Sequence, residues 1–153
     1  MSMLMRRSIL AVCLLVLGWS APAGAAAADH YSVDGLRVTP PLLQFGGVEV
    51  GSCDLSTNEP CRVRVATLKN TSGETILIGA IGVGGPGEAA LAGGTCGLLP
   101  NDGGAWTLAP GASCTVGAVM APSEKGRITR TLYVWAPGQV EELALIPLVA
   151  VGV

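Results

Sequence analysis

Apolar and polar residues alternate in short runs along the chain, and no stretch keeps a 3.6-residue apolar period for three turns. The runs LLQF, RVRVATL, ILIGAI, CTVGAVM, ITRTLYVW and LALIPLVAV are separated by TPP, GG, NTSG, GGPG, NDGG, APG, PSEKG and a second APG. Gly and Pro clusters break a chain into turns, and β-branched runs between them read as strands. Many short strands with such turns predict an all-β sandwich or barrel. In the run that follows Pro110-Gly111, period-two parity places Cys114, Val116, Ala118 and Met120 on one face and Ser113, Thr115, Gly117 and Val119 on the other. Cys114 is therefore expected to look inward.

The same parity applied to GRITRTLYVWA puts Leu132 and Val134 inside, which sends Thr129, Thr131, Tyr133 and Trp135 to the outer face. Exposed paired aromatics mark contact surfaces, so these four residues form the candidate binding surface. The structural alternatives are ordinary cross-strand packing and cover by the leading segment YSVDGLRV. Arg62 and Arg64 raise a conflict, because Ala66 and Leu68 inside would place both arginines inside too; a bulge near Val65 or an exposed strand end resolves it.

The first residues have a different character. MSMLMRR, the apolar run Ile9 to Leu17 and the small-residue segment SAPAGAAAA follow the charged, apolar and cleavable order of a secretory signal. Residues 1–25 are read as that signal, ending at Ala23-Gly24-Ala25 with Ala27 or Ala28 as alternative ends, and 26–35 as a flexible leader to a domain over 36–153. The apolar run is short of the about 20 residues a membrane span needs. A lipoprotein box at Leu10-Ala11-Val12-Cys13 is disfavoured by the bulk of Val12. The expected location is secreted or periplasmic, with no transmembrane segment after signal removal.

Composition narrows the function classes. The chain carries nine basic and eleven acidic residues, and loss of Arg6 and Arg7 with the signal leaves seven basic, so no basic patch for nucleic acid or anionic lipid is expected. Aromatics are only 4%, so the core must be built from Val, Leu and Ile, and small exported domains of this kind add disulfides. Cys53, Cys61, Cys96 and Cys114 remain after signal removal, an even count that reads as two bridges with three connectivities open. Zinc is the competing reading, but there is no C-x-x-C and the one histidine, His30, lies near the cleavage point, so neither metal nor cofactor is expected.

"TPPLLQFGGVEVG", "VATLKNTSGETILIGAI", a cysteine, "LAPGASCTVGAVMAPSEKGRITRTLYVW" and "LIPLVAVGV" occur in an order that resembles the exported bacterial repeat domains similar to the ASPM, SPD-2 and hydin family, also called choice-of-anchor D type. The matching positions include Pro41, Phe45, Gly46, Val50, Gly51, Leu68, Asn70, Thr71, Cys96, Pro110, Gly111, Cys114, Pro122, Gly126, Leu132, Val134 and Gly152, over about residues 36 to 153. The chain departs from the pattern at Ser72, at Ala150 and in the insertion CDLSTNEPC. The resemblance implies an immunoglobulin-like β-sandwich of seven to eight antiparallel strands and a module for interaction or spacing. It also implies that Cys96 pairs with Cys114; Cys53 and Cys61, which bracket the insertion, are expected to pair with each other.

Catalytic constellations are not apparent. With His30 the one histidine, no Ser-His-Asp or Cys-His arrangement can be assembled in the domain. Glu141 and Glu142 are neighbours that point to opposite faces of a strand, and Asp102, Glu88 and Glu124 fall on expected loops. GVGGPG, residues 82–87, lacks the Lys-Ser/Thr of a phosphate loop and reads as a flexible connection. Asn70-Thr71-Ser72 fits a glycosylation sequon but sits at a tight corner. The expectation is a non-enzymatic interaction or adhesion-type module whose partner is a protein or envelope component. The alternative is a structural subunit or spacer that self-associates through edge strands.

Overall fold

The computed structural model describes residues 31–33, 35–57, 61–97, 105–139 and 142–153, and the regular structure among them is entirely strand. In chain order the strands are β1 (Tyr31–Val33), β2 (Leu36–Thr39), β3 (Leu43–Val48), β4 (Arg64–Asn70), β5 (Ile76–Ile78), β6 (Ala80–Gly84), β7 (Ala89–Gly94), β8 (Trp106–Leu108), β9 (Ser113–Met120), β10 (Gly126–Trp135) and β11 (Glu142–Gly152). They make a five-stranded sheet ordered β1-β2-β4-β9-β7, a four-stranded sheet ordered β3-β11-β10-β6, and a ribbon of β5 and β8. The inward faces of both large sheets contribute to one core, with Leu36, Leu68 and Val116 from the first and Phe45, Leu132 and Ile146 from the second, all fully buried. The chain is an immunoglobulin-like β-sandwich with two disulfides.

The expected seven to eight strands become eleven. ILIGAI is cut at Gly79, where a Cβ would lie 2.9 Å from the Pro137 nitrogen, so that Ile76–Ile78 joins β8 and Ala80–Gly84 joins β10. AALAGG forms β7 although Ala and Gly have little β-propensity, because it pairs along β9. One pairing is parallel rather than antiparallel: the chain crosses to the second sheet after the cis Thr39–Pro40 bond, and β3 then runs beside β11 in the same direction.

Part of the leader expected over 26–35 falls among the described residues. Tyr31–Val33 is a strand in antiparallel register with β2, Tyr31 opposite Val38 and Val33 opposite Leu36. The turn between them is seated at Gly35 (φ 80°), whose carbonyl accepts bonds from the Thr71 N–H at 2.7 Å and the Thr71 hydroxyl at 2.9 Å. A Cβ on Gly35 would lie 2.6 Å from that of Ser72, so the close approach requires glycine. Residues 1–30, which include the expected signal, Cys13 and His30, lie outside the described residues.

The corner that receives this turn is built around Asn70. Its side chain is fully buried: the amide nitrogen donates to the carbonyls of Glu74 and Leu108, both at 2.7 Å, and the amide oxygen accepts from the Ser72 N–H at 2.9 Å and hydroxyl at 2.7 Å. Every polar atom of the sequon asparagine is thus engaged inside the fold, which leaves no room for a glycan. The additional Ser72 is part of that network.

Parity along β9 is as expected for Cys114, Val116, Ala118 and Met120, which are all buried. Its other face is not simply solvent: Gly117 and Val119 are buried as well, and a Cβ on Gly117 would meet the Ala92 carbonyl at 2.6 Å, where β7 bulges over it. Cys114 meets Cys96, with Cα atoms 4.8 Å apart, and Cys53 meets Cys61 at 4.7 Å. The Thr95 and Cys96 N–H groups donate to the Thr115 carbonyl at 2.9 and 3.0 Å, so the disulfide fastens a loop already stitched to β9. The arginine conflict resolves at the strand end. β4 pairs β9 from Arg64 to Lys69 without a register shift, and Arg64 is exposed.

Candidate interaction surface

The outer face of the β3-β11-β10-β6 sheet is defined by the packing beneath it. Ile128, Leu132 and Val134 of β10 and Ala144, Ile146 and Leu148 of β11 are buried, which turns the alternate residues of both strands outward. On β10 these are Thr129, exposed, and Thr131, Tyr133 and Trp135, each half-buried. The Tyr133 and Trp135 rings are stacked, with centroids 5.0 Å apart and planes 10° from parallel. Opposite them in register, Tyr133 faces Leu145, Thr131 faces Pro147 and Thr129 faces Val149.

Both rings lean over the glycines of β6. Tyr133 is paired with Gly82 and Trp135 with Ala80, yet a Cβ on Gly84 would fall 2.3 Å from the Tyr133 ring and one on Gly82 would lie 3.5 Å from the Trp135 ring. GVGG is thus a strand floor for the aromatic pair up to Gly84, and the connection begins only after it. That corrects its reading as a flexible connection throughout.

Leu145 (43% exposed), Pro147, Val149 and Val151 (42% exposed) extend the surface along β11. No outward position from Thr129 to Trp135 on β10 or from Leu145 to Val151 on β11 bears a charge. Sequence reading missed these β11 residues because LALIPLVAV is apolar in both phases, and alternation carries no signal there. The sole informative residue was Pro147, which cannot donate to a ladder; it lies opposite Thr131 of β10, just before β3 begins to pair at Leu148.

Glu142 excepted, the acids are placed apart from this face. Glu88 forms an ion pair with Arg130, which occupies an inward position of β10 at the sandwich rim, and its other oxygen accepts from the Ser123 hydroxyl. The Ser123 hydroxyl and N–H, then the Arg130 charge, hold the Glu88 carboxyl below its ordinary range. Asp54 is likewise lowered by the Ser56 hydroxyl and N–H, within the loop that Cys53 and Cys61 close. Glu142 begins β11 opposite Trp135, while Asp102 and Glu141 lie outside the described residues. Among the described residues no group of three or more metal-ligating side chains comes together, and no helix is long and apolar enough to cross a membrane.

No protein-family model matches the chain, and no curated protein matches it. Solved structures give weak likenesses. The VesB protease of Vibrio cholerae is 14% identical at a TM-score of 0.47, covering 77% of this chain and 32% of that one. The C. elegans MSP family member WR4 is 5% identical at 0.44, covering 80% of this chain and 100% of that one, and the ASH/PapD-like domain 7 of human CEP192 is 7% identical at 0.43, covering 84% and 97%. The chain spans about a third of VesB and about a fifth of the secreted protease VesC of the same organism. These likenesses bear on neither activity nor partner, and the fold stands on its own strand order and pairing.

Proposed function

We propose that the chain is an exported, non-enzymatic interaction or adhesion-type module of the cell envelope or secreted space. Its binding surface is the outer face of the β3-β11-β10-β6 sheet, centred on Tyr133 and Trp135 with Thr129, Thr131 and Leu145. One observation carries the reading: a stacked aromatic pair joins an uncharged apolar row on an open sheet face, the composition of interface cores. The secretory order of the first residues and the two disulfides favour an oxidising compartment. The residue order from Pro41 to Gly152 favours kinship with the ASPM, SPD-2 and hydin type of domain.

The test is capture from the organism's own envelope by immobilised mature protein, comparing wild type with a Tyr133→Ser, Trp135→Thr double variant. The expected outcome is loss of the cross-linked species by at least about ten-fold in the variant, the effect of removing roughly 1.4 kcal/mol of binding. Equal capture by both proteins contradicts the assignment.

A further inference from the structure

Each edge of the two sheets is a row of hydrogen-bonding groups open to another chain unless something blunts it. Three of the four edges are short or carry such a device. β1 has only three residues. β3 breaks register at Phe45, which has no partner residue between the Gln44–Val149 and Gly46–Ala150 pairs, and its Phe45 carbonyl is occupied by the Arg62 guanidinium at 3.1 Å. β7 bulges between Leu91 and Gly94, with Gly93 and Gly94 at φ 80° and 132°. β6 differs: its five residues pair with β10 without a shift, it contains no charge and no proline, and no described strand is hydrogen-bonded to its other side.

We propose that the outer edge of β6 is a strand-addition site for an extended, uncharged polypeptide segment with large apolar side chains at alternate positions. The proposal rests on Tyr133 and Trp135 being binding residues and specifies the partner they take. Strand addition supplies main-chain hydrogen bonds, and specificity comes from what lies beside alternate side chains. Here that is the Tyr133 and Trp135 rings, which reach across β6 because its outward residues are Ala80, Gly82 and Gly84.

Charge agrees. The nearest ionic groups at the Gly84 end, Arg130 and Glu88, neutralise each other, so an uncharged segment is the electrostatic match. A second copy of β6 fits less well, because it sets Ala80, Gly82 and Gly84 against the same three small residues and gives the rings nothing to cover.

The probe is a capped, uncharged peptide of alternating Thr and Val flanked by glutamines, with a control in which Glu replaces Val. Amide hydrogen exchange of the full mature protein should slow across Ala80–Gly84 on adding the Thr-Val peptide and stay unchanged with the Glu peptide. Gly82→Lys, where a Cβ has 3.5 Å of clearance from the Trp135 ring, should melt as wild type does and bind at least about ten-fold more weakly.

Absence of binding at ~1 mM peptide, unchanged β6 exchange in the bound state, or wild-type affinity in Gly82→Lys overturns the proposal. Concentration-dependent self-association that protects β6 assigns the edge to a second copy and overturns it too. If the Tyr133/Trp135 variant loses envelope capture while the peptide leaves β6 unprotected, the outer-face reading stands and strand addition alone falls. If capture survives in that variant, the outer-face reading is the one that fails.

Discussion

Asn70 shows how much one side chain can organise. It is fully buried with four hydrogen bonds to the corner after β4 and to β8, so Asn70→Ala removes the side-chain partner of the buried Leu108 carbonyl and of the Ser72 N–H, while the Ser72 hydroxyl and the Glu74 carbonyl keep only each other. We expect a loss of about 3 kcal/mol, read from urea melts; a loss below about 1 kcal/mol would show that the corner closes without it. Tyr133 and Trp135 should behave differently. Both are half-buried over glycines, so their replacement by Ser and Thr should keep a cooperative melt and cost about 1–2 kcal/mol, the scale of a partly exposed aromatic pair. A cost of several kcal/mol would mark them as core rather than surface.

Glu88 supplies a pH signature at the same scale. Its folded pKa lies below the ordinary value of 4.5, so its contribution is complete above that value and is lost as pH falls through the folded value. Glu88→Gln should therefore lose less stability than wild type between about pH 6 and pH 3, measured by melts across that range. Parallel curves would mean that the carboxylate does not contribute through its ionisation.

At the scale of elements, the strands with alternating patterns were legible and those without were not. β9 and β10 could be oriented from parity alone because, Arg130 at the rim apart, their inward side chains are apolar and enough of their outward ones are polar. β7, built of Ala and Gly, and β11, apolar in both phases, gave no such signal. The outer face was accordingly only half visible: the β10 residues could be named, and their β11 partners could not. β1 was hidden for another reason, since YSV becomes a strand only because Gly35 docks on the Thr71 corner.

The disulfides differ at this scale as well. Cys96–Cys114 closes a separation of 18 residues onto a core strand, and Cys53–Cys61 closes 8 residues of a surface excursion. On the chain-entropy model they contribute about 3 and about 2.5 kcal/mol. Replacing Cys96 and Cys114 by Ser should lower global stability in urea, whereas replacing Cys53 and Cys61 should mainly loosen residues around their loop. A Cys53/Cys61 variant less stable than the other would reverse this assignment.

For the whole molecule, the proposed function joins an expected export signal to a disulfide-fastened sandwich with an apolar stretch on one sheet face. If the proposed export holds, mature protein recovered from the envelope begins between Ala26 and His30, as N-terminal sequencing would show. Recovery of Met1, or a lipid on Cys13, contradicts soluble export.

The central claim is that partners meet the β10–β11 face and not the opposite sheet. Site-specific photo-cross-linking tests it most directly, with a photoreactive residue placed at exposed Thr129 on that face and, in a second protein, at exposed Lys69 on the other sheet. The account predicts a discrete cross-linked species in the native envelope from position 129 and none from position 69. The same species from position 69, with none from 129, would contradict it.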